Sequence, residues 1–295
     1  MSRAAIVVNP TKLDDCEAFR KSVGRAMDDH GWSEPVWRET TPEDPGRGQA
    51  EAAVSAGVDL VIACGGDGTV TACAEGVAGT GVPLAVIPLG TGNLLARNVG
   101  VPMGLEEALE VALAGRQQPV DAGRANGKLF LVMAGLGLDA RMLDDTSEPL
   151  KKRLGWLAYA LTAVRHLADR PMKVTVSADG GRPRRHRASA VIIGNVGWLQ
   201  GGVPLLPDAR PDDGVLDAVV LIAGGLAGWL AVAADILLRR RAHGGTHRIR
   251  FSELQVTLNA EQPWELDGEV MGSTRRLTVV AEPGALLLRV PPESA

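Results

Sequence analysis

Runs of apolar residues, punctuated by glycine and proline, set out the first part of this chain. Ala4–Val8 is an unbroken apolar run ending at Asn9-Pro10-Thr11-Lys12, and Leu60–Ala63, within an expected strand Asp59–Ala63, is a second, stopped by Gly65, Gly66 and Gly68. Four or five consecutive apolar positions between turn signals suit a strand buried on both faces. Leu84–Ile87 repeats the pattern ahead of Pro88-Leu-Gly-Thr-Gly-Asn93, and Glu34–Glu39 is a further candidate. Between these runs the spacing is helical. Asp14 followed by Glu17 reads as a capping box that opens a helix to about His30, with Gly31 as its left-handed stop. Helices over Gln49–Ser55, about Thr69–Gly76 and Leu105–Ala114 complete an alternation of strand and helix. That alternation predicts a parallel sheet with helices on both faces.

After about Ala122 the pattern changes. Lys128–Ala134, Lys173–Ala178 and Ala188–Ile193 are short and β-rich, and Arg248–Ser252 and Gln255–Leu258 alternate with period two, as half-exposed antiparallel strands do. One helical segment spans roughly Leu150–Ala168. The expected architecture is an α/β domain over residues 1–122 followed by a mainly antiparallel β domain, a sandwich or partly open barrel, over 123–295. Whether the last residues return to the first domain is left open. Ala218–Ala234 carries no charge and approaches the length of a membrane span. Gly224-Gly225 divides it and Asp217, Asp235 and Arg239–Arg241 bracket it, so it reads as a strand, Leu216–Ile222, and a helix over about Leu226–Arg240.

Composition narrows the class. The chain has 295 residues, 45% hydrophobic and 22% charged, enough for two domains and a sizeable core. A net charge of −4 and a pI near 5.8 provide no global basic field, which argues against nucleic acid as a partner. Cys16, Cys64 and Cys73 form no CxxC pair and fit reduced cytosolic thiols, with Cys64 buried in its strand. No signal peptide is apparent, and a cytoplasmic protein is expected.

The candidate chemistry lies in the glycine runs. A glycine-rich turn from strand to helix exposes backbone N–H groups near a helix N-terminus, where phosphate binds well. Asp67 would repel phosphate unless a cation stood between them, which points to a Mg-nucleotide site; an ordinary tight turn is the alternative. The loop Pro88–Asn93 also follows a strand, so the two loops can wall one crevice. Thr91 and Asn93 offer neutral hydrogen-bonding groups and Arg97 a phosphate contact, unless Asn93 is a helix cap and Arg97 a solvated helix residue.

With both loops placed, the chain resembles the diacylglycerol kinase catalytic family, which includes bacterial lipid kinases and sphingosine kinases. Gly65-Gly-Asp-Gly-Thr69 and Pro88-Leu-Gly-Thr-Gly-Asn93 carry the resemblance, joined by Asn9-Pro10-Thr11, Val120-Asp-Ala-Gly123, Gly194-Asn195, Gly201-Gly202, Pro207–Asp217 and Glu265-Leu-Asp-Gly-Glu269. It implies an N-terminal domain similar to those of NAD kinase and phosphofructokinase, with ATP in the interdomain cleft. By matching motif the ATP contacts would be Asn9, Pro10, Thr11, Lys12, Thr41, Gly65, Gly66, Asp67, Gly68, Thr69, Val70, Thr71 and Thr91; Thr40 aligns as well as Thr41. Asp67 would hold Mg2+. Asp267 and Glu269 would form the acidic pair near the acceptor hydroxyl, with Glu269 the leading general base. Two positions apart, they would share one face of a regular strand, although Gly268 also permits a turn.

One departure from the family pattern is visible. Asn93-Leu94-Leu95 stands where many bacterial members have Asn-Asp-Phe, whose Asp belongs to a water network reaching a structural Mg2+. The matching cation site here would be Asp213 with the carbonyls of Arg210 and Val215, although Asp212-Asp213-Gly214 reads equally as a turn.

The resemblance implies an ATP-dependent, Mg2+-requiring lipid kinase acting on a lipid hydroxyl, with diacylglycerol the leading acceptor. An NAD kinase-like enzyme and a regulatory nucleotide- or lipid-binding protein are the alternatives. A lipid acceptor implies transient contact with the inner face of a membrane. Two basic runs could attract anionic headgroups: Arg182, Arg184, Arg185 and Arg187, then Arg239–Arg241 with His243, His247, Arg248 and Arg250. Trp156, Trp198 and Trp229 would line an acyl channel or fill a core. A homodimer is left open.

Overall fold

The computed structural model describes residues 1–137, 171–199, 203–222 and 246–292. It divides into two compact units, Met1–Val120 with the residues from Gly284 on, and Asp121–Pro283.

The first unit runs β1 (Ala4–Val8), α1 (Cys16–Asp29), β2 (Val36–Glu39), α2 (Arg47–Ser55), β3 (Leu60–Gly65), α3 (Asp67–Val77), β4 (Leu84–Pro88), α4 (Leu94–Asn98), α5 (Leu105–Ala114) and the start of β5 (Arg116–Ala125). β2, β1, β3 and β4 pair side by side, all parallel, with Ile6 opposite both Trp37 and Ile62, and Val61 opposite Leu84. Every residue of β1, β3 and β4 is buried, as unbroken apolar runs require of strands covered on both faces. β2 is the half-buried edge, and of the expected strand Glu34–Glu39 only Val36–Glu39 pairs, so Glu34 and Pro35 are not strand.

Helix starts differ from expectation where a cap was misread. Asp15, not Asp14, caps α1: its Oδ1 accepts the N–H groups of Glu17 at 3.0 Å and Ala18 at 2.9 Å. Phe19, Val23 and Met27, spaced four apart, form the buried stripe of α1, and Gly31 ends it at φ 69°. α3 begins at Asp67, two residues before the expected Thr69, which puts the acidic residue in the helix's first turn. Cys64 and Cys73 are buried, and burial pushes the Cys64 thiol well up and the Cys73 thiol to about 12, so neither is a nucleophile near neutrality.

The second unit contains the rest of β5 and then β6 (Lys128–Phe130), β7 (Met133–Gly137), β8 (Met172–Ala178), β9 (Arg184–Ala188), β10 (Ala190–Gly194), β11 (Trp198–Leu199), β12 (Val203–Pro204), β13 (Leu216–Leu221), β14 (Thr246–Phe251), β15 (Glu253–Leu266) and β16 (Glu269–Val290). β16 carries the chain back to the first unit, where its Leu288 lies parallel beside Leu84 of β4. Within the second unit pairing is antiparallel. β15 joins its two parts: Leu254–Leu258 pairs with β8, and Trp264–Leu266 pairs with β7, which continues through β10 and β13 to β14. Irregular register between Thr257 and Glu265 lets one strand serve both. Phe130, Leu136, Val174, Val176, Val191, Ile193, Phe251, Leu254 and Leu277 pack into the main core between them. Ile192, Val219 and Leu221 point the other way onto Leu205 and Leu206, so β10 and β13 are apolar on both faces.

The run expected as one strand over Lys128–Ala134 is two, and the basic run before Ala188 is itself a strand, β9. The helices expected over Leu150–Ala168 and Leu226–Arg240, Gly201-Gly202, Trp156, Trp229, Arg239–Arg241 and His243 lie outside the described residues. Trp198 is exposed. Among the described residues no helix is long and apolar enough to cross a membrane.

Candidate functional site

The C-terminal edge of the parallel sheet collects the first group of candidate residues. β3 turns into α3 through Gly66 alone, and β4 leads to α4 through Leu89–Asn93. Gly65 pairs with Pro88, and the Leu89 N–H donates to the Gly65 carbonyl at 2.9 Å, so the ladder holds the two turns side by side. A Cβ added at Gly90 would sit 2.6 Å from the Gly66 Cα and 2.8 Å from Asn93 Oδ1; the two main chains touch because neither carries a side chain there.

Asp67 bolts the turns together. Its Oδ1 accepts the Leu94 N–H at 2.7 Å, giving α4 the cap its own preceding residue does not supply. Asn93 is left-handed at φ 48° and clasps Gly90 instead, accepting its N–H at 2.9 Å and donating to its carbonyl at 2.7 Å. Arg97 Nε donates to the Gly92 carbonyl at 3.0 Å. Asn93 and Arg97 therefore shape the second turn.

The neighbouring strand ends supply the rest of this group. The Asn9 N–H continues the β1–β3 ladder to the Cys64 carbonyl, and its Oδ1 accepts from the Thr11 N–H at 3.1 Å and hydroxyl at 2.7 Å, closing the short turn Pro10–Lys12. Thr40 is buried with its N–H on the Val8 carbonyl, whereas Thr41 is exposed and its hydroxyl accepts the Asp44 N–H at 3.1 Å. Thr69 and Val70 are buried in the first turns of α3, with the Thr69 side chain under Gly65, so both serve packing. This edge thus brings together a helix N-terminus in Gly66–Gly68, the Lys12 ammonium, and the residues Asn9, Thr41, Thr71 and Thr91. That combination suits a polyphosphate.

The acidic motif is a hairpin turn in the second unit. Asp267 at φ 46° and Gly268 at φ 88° join β15 to β16 across the pair Leu266–Glu269, the Asp-Gly turn whose twist matches two antiparallel strands. The two acids therefore do not share a strand face, and their surroundings differ. Asp267 Oδ1 accepts the N–H groups of Val132 at 2.9 Å and Met133 at 3.0 Å, and Oδ2 that of Leu131 at 3.0 Å. Glu269 is exposed. Glu265, 1% exposed, accepts the Gly268 N–H at 2.9 Å and braces the turn from beneath.

Two further polar residues had not been singled out. Asn195 is 1% exposed and donates from Nδ2 to the carbonyls of Asp121 at 2.7 Å and Leu131 at 3.0 Å. Asp121, also buried, accepts the Gly214 N–H on Oδ2 at 2.7 Å and donates its own N–H to the Pro211 carbonyl at 2.6 Å. Together they tie Pro207–Asp217 and Leu131–Met133 to one strand. The sequence signal was their place in short motifs; burial of an Asp and an Asn could not be read from it.

At the cation cage expected around Asp213, an arginine takes one carboxylate oxygen. Arg250 Nη2 lies 2.5 Å from Asp213 Oδ2, and its Nε 3.9 Å from buried Asp217. Burial raises the Asp217 carboxyl's pKa, and the Arg250 guanidinium opposes that rise. A cation held by Asp213 with the Arg210 and Val215 carbonyls would have to displace this guanidinium. Among the described residues no three acidic, His or Cys side chains form a metal-holding group.

Comparison with known proteins places this geometry. Residues 3–125 match the model of the diacylglycerol kinase catalytic domain, and residues 132–290 that of the YegS C-terminal NAD kinase beta sandwich-like domain. A probable lipid kinase YegS-like protein of Pseudomonas aeruginosa is 35% identical over 271 residues, covering 86% of this chain and 84% of its own. The diacylglycerol kinase of Bacillus subtilis is 31% identical over 282 residues, covering 92% and 91%. A crystal structure of a candidate diacylglycerol kinase from Bacillus anthracis superposes with a TM-score of 0.83 at 25% identity, covering 100% of this chain and 97% of that one.

Proposed function

The chain belongs to the diacylglycerol kinase catalytic-domain family, and we propose that it transfers the γ-phosphate of MgATP to the hydroxyl of diacylglycerol, giving phosphatidic acid and ADP. The observation that carries this reading is the pair of glycine turns in main-chain contact, locked by Asp67 at the head of α3. A loop held this rigidly keeps its N–H groups aimed at one place, and phosphoryl transfer is governed by positioning and charge neutralisation.

In this reading the N–H groups of Gly66–Gly68 and the Lys12 ammonium bind the phosphates, and Asn9, Thr41, Thr71 and Thr91 hold the remainder of the nucleotide. Asp67, the carboxylate at that helix end, would hold a Mg2+ bound with the ATP, which would supply neutralisation of phosphate charge. Glu269, exposed at the start of β16, accepts the proton of the acceptor hydroxyl as its oxygen bonds to the γ-phosphorus and the bond to the ADP oxygen breaks. Asp267 holds the turn that presents Glu269. The acceptor resides in a bilayer, so the enzyme works in transient contact with the inner face of a membrane.

The test is transfer of labelled γ-phosphate from MgATP to diacylglycerol in mixed micelles, beside Glu269→Gln. Labelled phosphatidic acid that disappears in the variant supports the reading. ATP binding without label in any lipid refutes it, and label in another lipid alcohol replaces the acceptor while keeping the reaction.

A further inference from the structure

The second unit carries a cationic concavity that takes no part in the proposed phosphoryl transfer. β9, β8 and β15 lie side by side, and their outward face encloses about 460 Å³. Val174, His186 and Leu258 floor it, Val174 and Leu258 facing the core on the other side. Its walls rise from the flanking register rows: Lys173 opposite Arg187, and Thr175 opposite Arg185, with Thr257 and Asn259 on β15. Lys173, Arg185 and Arg187 are exposed, no acidic residue lines the concavity, and none of the three has an acidic partner among the described residues.

This arrangement is costly for the fold. Like charges directly opposite across a strand pair destabilise it, and Lys173 faces Arg187. Charges on an edge strand deter pairing with other chains, which would account for the arginines of β9. It does not account for Lys173, because β8 is paired on both sides. A bound anion accounts for all three cations together.

We propose that this face binds a terminal phosphate group, carried on a lipid headgroup or free in solution. The group is compact and doubly charged with three acceptor oxygens, matching three cations ringed by the neutral donors Thr175, Thr257 and Asn259. The site belongs to none of the motifs assigned to nucleotide or acceptor, and it stands or falls independently of the reaction.

The test uses the full chain and the variant Arg185→Gln/Arg187→Gln. One arm measures flotation with phosphatidylcholine vesicles containing phosphatidic acid or, at equal charge density, the phosphodiester phosphatidylglycerol. The other measures thermal stabilisation by inorganic phosphate against chloride at matched ionic strength. Tighter binding to phosphatidic acid than to phosphatidylglycerol vesicles, with the affinity for the former falling about 30-fold in the variant, at about fivefold per cation, assigns the site to a lipid headgroup. Stabilisation by inorganic phosphate that the variant loses assigns it to a free phosphate. Without ligand the variant should melt no lower than the wild type, since the Lys173–Arg187 repulsion is gone. The proposal is overturned if neither a preference for phosphatidic acid vesicles nor a stabilisation by inorganic phosphate is seen, or if what is seen is unchanged in the variant.

Discussion

Asp267→Asn and Glu269→Gln should behave as opposites, although both remove one charge from the same four-residue turn. Asp267 receives three backbone N–H groups on two oxygens. Asparagine keeps one acceptor oxygen, which can still serve Val132 and Met133, but it turns an NH2 group toward the Leu131 N–H. One hydrogen bond to a charged group, about 1.5–3 kcal/mol, is lost outright, and the two that remain weaken from charged to neutral. The turn's backbone is unaffected, because asparagine tolerates the left-handed region as aspartate does. The sum is roughly 2–4 kcal/mol, or a fall in Tm of roughly 3–6 °C for a chain of this size. Glu269 is exposed, so Glu269→Gln should shift stability by less than about 0.5 kcal/mol while lowering kcat by about 10²–10⁴. Melting curves and labelled-phosphate turnover on both variants measure these quantities. An Asp267→Asn protein that melts like the wild type yet does not turn over would refute the scaffold role, and an active Glu269→Gln protein would remove Glu269 as the base.

Three other perturbations follow from the geometry. Gly90→Ala places a Cβ 2.6 Å from the Gly66 Cα, a clash no rotamer relieves, so it should cost about 1–3 kcal/mol and weaken binding of an ATP analogue at least about tenfold; Gly66→Ala, at 3.4 Å from its neighbour, should bind nearly normally. The His30 ring pKa is raised above 6.5 by its bond to the Ala26 carbonyl and by Glu110, which it meets at 2.9 Å, against some desolvation. A folded-state pKa above the unfolded one stabilises fully below pH 6.5 and fades as pH rises beyond it, so the Tm difference between wild type and His30→Gln should shrink from pH 5.5 to about 8. Arg250→Gln leaves Asp213 and Asp217 without their guanidinium, so millimolar Mg2+ should raise the variant's Tm more than that of the wild type; equal shifts would show that Arg250 does not stand in for a cation.

The first unit was readable because strands buried on both faces leave unbroken apolar runs, and Ala4–Val8, Leu60–Gly65 and Leu84–Pro88 stand close to where those runs lie. Helix starts were less readable: Asp14 and Asp15 are both good caps, and only geometry chooses between them. β16 escaped because its core residues Leu277, Val279 and Ala281 form only a short run, its alternation blurred by the exposed Val280, before Pro283-Gly284 interrupts it. At the site, glycine spacing announced two turns but not that they touch. Neither could Asp267 and Glu269 be told apart, since that difference is made by N–H groups at Leu131–Met133, far away in sequence.

The return of β16 to the first unit has a consequence for synthesis. β4 gains its neighbour at Leu288 only after the whole second unit has been made. At 5–20 residues per second, that leaves the inner edge of β4 without this partner for roughly ten to forty seconds on the ribosome. A nascent chain in that interval displays an apolar strand edge open to any passing strand. Cutting the gene after residue 120 would make the interval permanent: the fragment would carry both glycine turns and still lack the strand that closes its sheet.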